Sequence, residues 1–98
     1  MKIKSACIKY KEQGSTVPYS YMEDTSHCNC YDTLCVMGVY VRVSPEKFDV
    51  TEGFMLDDNR FVDRFEAMEI AKKYDLLKSA WKNTDDIALK SYMINYGN

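Results

Sequence analysis

Apolar and polar positions along this chain alternate with two different periods, and the switches between them mark out its elements. Ile3, Ser5, Cys7 and Lys9 interleave with Lys4, Ala6, Ile8 and Tyr10, the two-residue period of a strand whose side chains point to opposite faces. Glu12-Gln13-Gly14-Ser15 closes that run as a turn, and Thr16 to Met22 predicts the returning strand. Pro18 has no N–H to give to a ladder, so this second strand is expected to be short, bulged or at the sheet edge.

Next comes a helical period. Glu23-Asp24-Thr25-Ser26 is rich in capping side chains, and Cys28, Tyr31 and Cys35 then share a face at helical spacing. A helix from about Ser26 to Met37, ended by Gly38, is the result. Val39-Tyr40-Val41-Arg42-Val43 is β-branched and alternating, either a strand or an extended connection before the Ser44-Pro45 break.

The richest stretch runs from Gly53 to Ala67. A short apolar run, a polar turn at Asp57-Asp58-Asn59 and a second run Arg60-Phe61-Val62 predict a hairpin, because Asp and Asn tolerate turn and left-handed backbone angles. Asp63 stops the strand and can accept the free N–H groups of a following helix, with Glu66 three residues on completing an acidic capping box. That helix, roughly Arg64 to Tyr74, puts Ala67, Met68, Ile70, Ala71 and Tyr74 on one side and Glu66, Glu69, Lys72 and Lys73 on the other. Such an amphipathic helix covers a sheet. Leu76 to Lys82, carrying Trp81, is expected to prolong it after a kink, and Asn83 to Asn98 is a polar link followed by Ala88-Leu89 and Tyr92-Met93-Ile94 packed on the body. The order is ββα, an undecided strand, then ββα, an α+β fold with a small antiparallel sheet and two helices on one face.

Composition adds bounds. With 98 residues and 46% hydrophobic content, residues 1–98 are expected to form one domain, of modest stability alone and helped by oligomerisation. Thirteen Lys and Arg against 15 Asp and Glu leave a net charge of −2, which argues against a nucleic-acid backbone binder and against a heavily acidic DNA mimic. No apolar run is long enough to span a membrane, and Met1 to Tyr10 lacks the continuous hydrophobic core of a signal peptide. A cytoplasmic protein is expected, with Cys7, Cys28, Cys30 and Cys35 as thiols.

Four groups of residues are candidates for chemistry. His27, Cys28, Cys30 and Cys35 are zinc-type ligands close together, but neighbours on a helix point about 100 degrees apart and no paired C-x-x-C knuckles are present. Cysteines filling a helix–sheet interface as small hydrophobes is the better account, and no metal or cofactor is expected. A Cys–His nucleophile pair at the same place lacks a third group to orient His27. Arg60 and Arg64 flank a strand end and a helix start, where guanidinium groups and free N–H groups suit an anion; the alternative is that Arg60 pairs with Asp57, Asp58 or Asp63. Tyr19 and Tyr21, with Phe54 and Phe61, either stack a nucleobase or form a core or subunit contact.

The run Gly53-Phe54, Asn59-Arg60-Phe61-Val62-Asp63-Arg64, Glu66-Ala67 and Ile70-Ala71 resembles a pattern, G-F … G-R-F-V-D-R-x-E-A … I-A, of small proteins encoded by tailed phages. Ile8-Lys9-Tyr10, Val17-Pro18-Tyr19 and His27-x-x-Cys30 agree with the earlier half of that group. The chain departs from it at Asn59 in place of Gly, at Ser26 in place of Arg and in lacking a glycine after Tyr19. Among its relatives are the phage anti-Thoeris sponges. The resemblance implies a non-enzymatic protein that sequesters cyclic ADP-ribose-type signals or cyclic oligonucleotides inside an infected host cell, assembled as a homodimer or larger homo-oligomer. It further implies Phe54, Asn59, Arg60 and Arg64 as ligand-binding residues, with His27 beside them. A protein–protein inhibitor of host defence, such as an anti-CRISPR protein acting through the tyrosine-rich edge strand, is the alternative, and a metal-dependent enzyme comes third.

Overall fold

The computed structural model describes residues 1–96. Its strands are β1 (Ile3–Glu12), β2 (Ser20–Asp24), β3 (Phe48–Leu56) and β4 (Phe61–Asp63), and its helices α1 (His27–Val36) and α2 (Arg64–Lys73). The strands form one antiparallel sheet in the order β2-β1-β3-β4. Both helices lie on the same face, α1 over β1 and β2, α2 over β3 and β4. The α+β architecture expected from the pattern is the architecture found.

Register decides which side chains meet. Ala6 pairs with Phe54 and Asp24, and Ile8 with Glu52 and Met22, so these positions share the helix-covered face. Phe54, Ile3, Leu56 and Val62 pack there with Ala67, Met68 and Ala71 of α2, while Ile8 packs with Cys30, Leu34 and Val41 under α1. The C-terminal segment closes the first cluster with Leu89, Met93 and Ile94, held by a Leu77–Ile94 bridge and by Leu89 N–H donating to the Arg64 carbonyl at 2.8 Å. It packs on the body as the sequence implied.

Both caps follow the sequence. The Asp63 carboxylate accepts from Phe65 and Glu66 N–H at 3.0 and 2.8 Å, and Ser26 Oγ accepts from Asn29 N–H at 3.1 Å. Gly38, at φ 85, ends α1 in the left-handed conformation that glycine adopts without strain.

Several expectations need correction. Residues 39–43 form no strand: they are a turn-rich connection that drops only Val41 into the core. Residues 48–52, left unassigned by sequence, are instead the first half of β3 and complete its pairing with β1. β2 begins later than expected, so Pro18 lies before the strand rather than in it. The buried positions of α1 are Cys30 and Leu34, four apart, whereas Cys28 and Cys35 are exposed; starting the helix at the Ser26 cap fixes that phase. Asp75 at φ 55 stops α2, Tyr74 stays exposed, and Ser79–Trp81 is a separate 3-10 turn. No described helix is long and apolar enough to cross a membrane.

Replacing Asp63 by Ala leaves two N–H groups at the start of α2 without their acceptor. It is expected to lower unfolding free energy by about 0.5–2 kcal/mol in urea titrations.

Candidate functional site

The residues singled out by sequence do not converge. Phe54 is fully buried in the core and presents no surface to a ligand. His27 Nε2–H donates to the Gly53 carbonyl at 2.7 Å, and its ring meets Phe54 edge-on at 5.1 Å, so this histidine fastens α1 to β3. Arg64 Nε donates to the Leu89 carbonyl at 3.0 Å, with Nη1 3.6 Å from Glu52 Oε1. Glu52 also accepts from the Tyr31 hydroxyl at 2.7 Å. Arg64, Glu52 and Tyr31 therefore form a polar line from α2 across the sheet to α1. Desolvation and the bond to Glu52 raise the Tyr31 pKa.

Asn59 and Arg60 occupy the exposed β3–β4 turn. Asn59 takes φ 65, the left-handed conformation that asparagine tolerates, and its side-chain oxygen accepts from Lys4 Nζ at 2.8 Å. Arg60 Nε bonds Asp58 at 2.8 Å, and that bond holds the Asp58 pKa below its ordinary value. Of the two readings of Arg60, pairing with a neighbouring aspartate is the arrangement present. Among the described residues no three His, Cys, Asp or Glu side chains gather as metal ligands.

What the structure does bring together is the other face of the sheet, which no helix covers. Cys7 pairs with Glu23 and Gly53, Lys9 with Tyr21 and Thr51, and Phe61 with Met55, so all these positions share that face. Tyr21 stands on the β2 edge and Phe61 on the β4 edge, three strand spacings or about 14 Å apart across the sheet and offset along it by the interval from Thr51 to Met55. Their ring centroids are nonetheless only 5.7 Å apart, so both side chains lean inward and cover the centre of the face. Beneath them Cys7 is fully buried and Met55 nearly so.

Gly53 makes this possible. A Cβ there would sit 2.5 Å from the Phe61 ring and closer still to the Val62 carbonyl, so the ring rests against bare backbone.

Around this aromatic cover stand two cations. Lys9 Nζ lies 4.6 Å from the Tyr19 ring centroid and 5.8 Å from that of Phe61, and Lys11 Nζ lies 4.7 Å from Tyr19. Neither lysine is in an ion pair among the described residues. Tyr19 and Tyr21 are 37% and 46% exposed, which leaves ring surface open beside positive charge. Beyond Lys11 a shallow cleft of about 320 Å³ opens between the β1–β2 turn and Phe48, lined also by Tyr10, Ser15 and Val17. The sequence named Tyr19, Tyr21 and Phe61 as aromatics of interest, but gave no sign of Lys9 and Lys11. Their signal was the i, i+2 spacing on β1, legible only once the face is known to be uncovered.

Gly53→Ala forces Phe61 off the backbone and is expected to cost about 1–3 kcal/mol of stability in chemical denaturation, as overpacking does. The Cys7 thiol is pushed up to about 12 by burial first and then by Glu23, and Cys30 likewise to about 12 by burial first and then by Asp24. The folded chain thus keeps these protons where the unfolded chain, near the ordinary 9.0, loses them. Their contribution to stability is complete below pH 9.0 and drains away as pH rises toward 12. Urea midpoints should therefore fall from about pH 8 to about pH 10, at most about 1.4 kcal/mol per pH unit per thiol, and a Cys7→Ala/Cys30→Ala variant should flatten the decline.

Comparison with known proteins places the chain. No curated protein and no solved structure matches it. The sequence model of one small phage protein family, described as phage T4 y16D protein, matches residues 2–92 and so spans the sheet, both helices and most of the C-terminal segment. The chain belongs to the phage T4 y16D protein family.

Proposed function

We propose that this is a phage-encoded counter-defence protein that binds a nucleotide immune signal and holds it without catalysis. The observation that carries the reading is the uncovered sheet face. Open surface on Tyr19 and Tyr21 beside the Phe61 ring offers π-faces to a base, and unpaired Lys9 and Lys11 offer charge to its phosphate. Among the described residues the thiol on that face, Cys7, is buried and held protonated, so it is not poised as a nucleophile. The resemblance to anti-Thoeris sponges supplies the ligand class, cyclic ADP-ribose types or cyclic oligonucleotides. The binding surface moves from Phe54, Asn59, Arg60, Arg64 and His27 to the β1–β2–β4 face. A second copy laid against this face would enclose the ligand, which is the role of a homodimer in this reading.

The alternative, a protein inhibitor of host defence, has its own support. Val36, Met37, Tyr40 and Val43, in and after the last turn of α1, are 89%, 59%, 52% and 75% exposed. That is an apolar knob of the sort that docks on a protein.

Isothermal titration with cyclic ADP-ribose isomers and with cyclic di- and trinucleotides distinguishes the two. Heat with at least one of them is expected, weakened by Tyr21→Ala by about 1–3 kcal/mol, the usual worth of one base–aromatic stack. Absence of heat with every ligand refutes the proposal. Host-protein capture that Met37→Ala abolishes favours the inhibitor.

A further inference from the structure

Resting on the reading of the uncovered face as a base-stacking surface, we infer that its occupant extends to single-stranded nucleic acid. The order of groups is the argument. Lys9 Nζ lies near two rings, 4.6 Å from Tyr19 and 5.8 Å from Phe61, with Tyr21 against Phe61 at 5.7 Å and Lys11 Nζ 4.7 Å from Tyr19. Aromatic rings interleaved with ammonium groups suit a strand, whose bases stack on the rings while its phosphates meet the cations. A duplex keeps its bases stacked inside and offers these rings nothing to stack on.

Openness points the same way. A small ligand is usually held in a concavity that buries most of its surface, whereas this face is a sheet surface reaching the free edges of β2 and β4. A strand needs no enclosure, because it crosses the face and leaves at both edges. The charge complementarity is local: the chain carries a net charge of −2, yet among the described residues Lys9 and Lys11 are in no ion pair while Lys4, Arg60, Arg64 and Lys82 are each within ion-pair distance of a carboxylate. Glu23 and Asp49, opposite Cys7 and Lys11 in the register, bound the patch. The footprint is therefore short, on the order of two or three nucleotides, the number of bases that aromatic side chains on one sheet face can stack.

Fluorescence anisotropy with short labelled oligothymidine and oligouridine, against a duplex of the same length, tests this in low-salt buffer. Saturable binding of the single strands, weaker binding of the duplex, and a log–log salt slope of about −1.4, from about −0.7 for each of two phosphates, are expected. The oligothymidine and oligouridine arms distinguish DNA from RNA as the better strand. Tyr21→Leu, which keeps apolar cover over Cys7, should weaken binding by roughly tenfold or more, and Lys9→Ala/Lys11→Ala should flatten the salt slope. Lys72→Ala, on the helix side, should change neither. No saturable signal, equal affinity for duplex, or binding untouched by Tyr21→Leu and by the double lysine variant each overturns the inference. Heat with a cyclic nucleotide but no strand binding overturns it and leaves the sequestration reading standing; strand binding without such heat supports it and removes the sequestered signal.

Discussion

The pairing of β1 with β3 is the constraint on which the rest depends. It runs from Ile3–Leu56 to Glu12–Phe48 with one irregularity near its start, and it joins segments about forty residues apart before either helix has a surface to cover. Nothing local enforces it. What holds the register is that Ala6, Cys7 and Ile8 are all fully buried, which requires apolar cover on both faces of β1 at once. A slip of one residue would exchange Cys7 with its neighbours and bring Glu52 or Gly53 opposite the wrong partner. Gly53 is the point where this matters most, because the ring that covers Cys7 from the far side rests on it.

The helix-covered side is divided. One apolar cluster lies under α2 and the C-terminal segment and another under α1, with the Tyr31–Glu52–Arg64 line running between them. A carboxylate at the middle of a covered sheet face is stable only when its oxygens are engaged, and here a hydroxyl and a guanidinium do so from opposite helices. His27 fastens the same seam through the Gly53 carbonyl. The residues that look most chemical in the sequence are thus occupied in joining the two clusters.

The uncovered side follows a different logic. Cation–ring contacts hold Lys9 and Lys11 in place without neutralising them, so charge and aromatic surface remain available together. Net charge is an average over the chain, and an average of −2 does not show that two lysines sit together among the rings of this face, with Glu23, Asp49 and Asp63 around them. Net charge alone therefore does not describe this face, where Lys9 and Lys11 stand against aromatic rings.

How much was legible in the sequence depended on the range of the interaction. Asp63 before α2, Ser26 before α1, Gly38 after it and the Asp57-Asp58-Asn59 turn are local chemistry, and the chain carried them openly, together with the α+β order and the capped amphipathic helix; the return bond expected of Glu66 is not among the hydrogen bonds of the described residues at this cap. The first half of β3 was not legible, because the alternation of Phe48-Asp49-Val50-Thr51 is short and breaks at Glu52-Gly53, and it becomes a strand by pairing with β1. Residues 39–43 had the alternation and lacked a partner, so they stayed irregular. The site was the least legible part. Phe54, Asn59, Arg60, Arg64 and His27 were chosen by residue type and motif, but whether a ring is core or surface, and whether an arginine is free or paired, is settled by neighbours distant in sequence. By itself the sequence determined the caps, the turns and the order of elements, since each rests on backbone groups a few residues apart. Only the tertiary structure decided which sheet face stays open and which cations stay unpaired on it, because both depend on the register of strands that the chain brings together from far away.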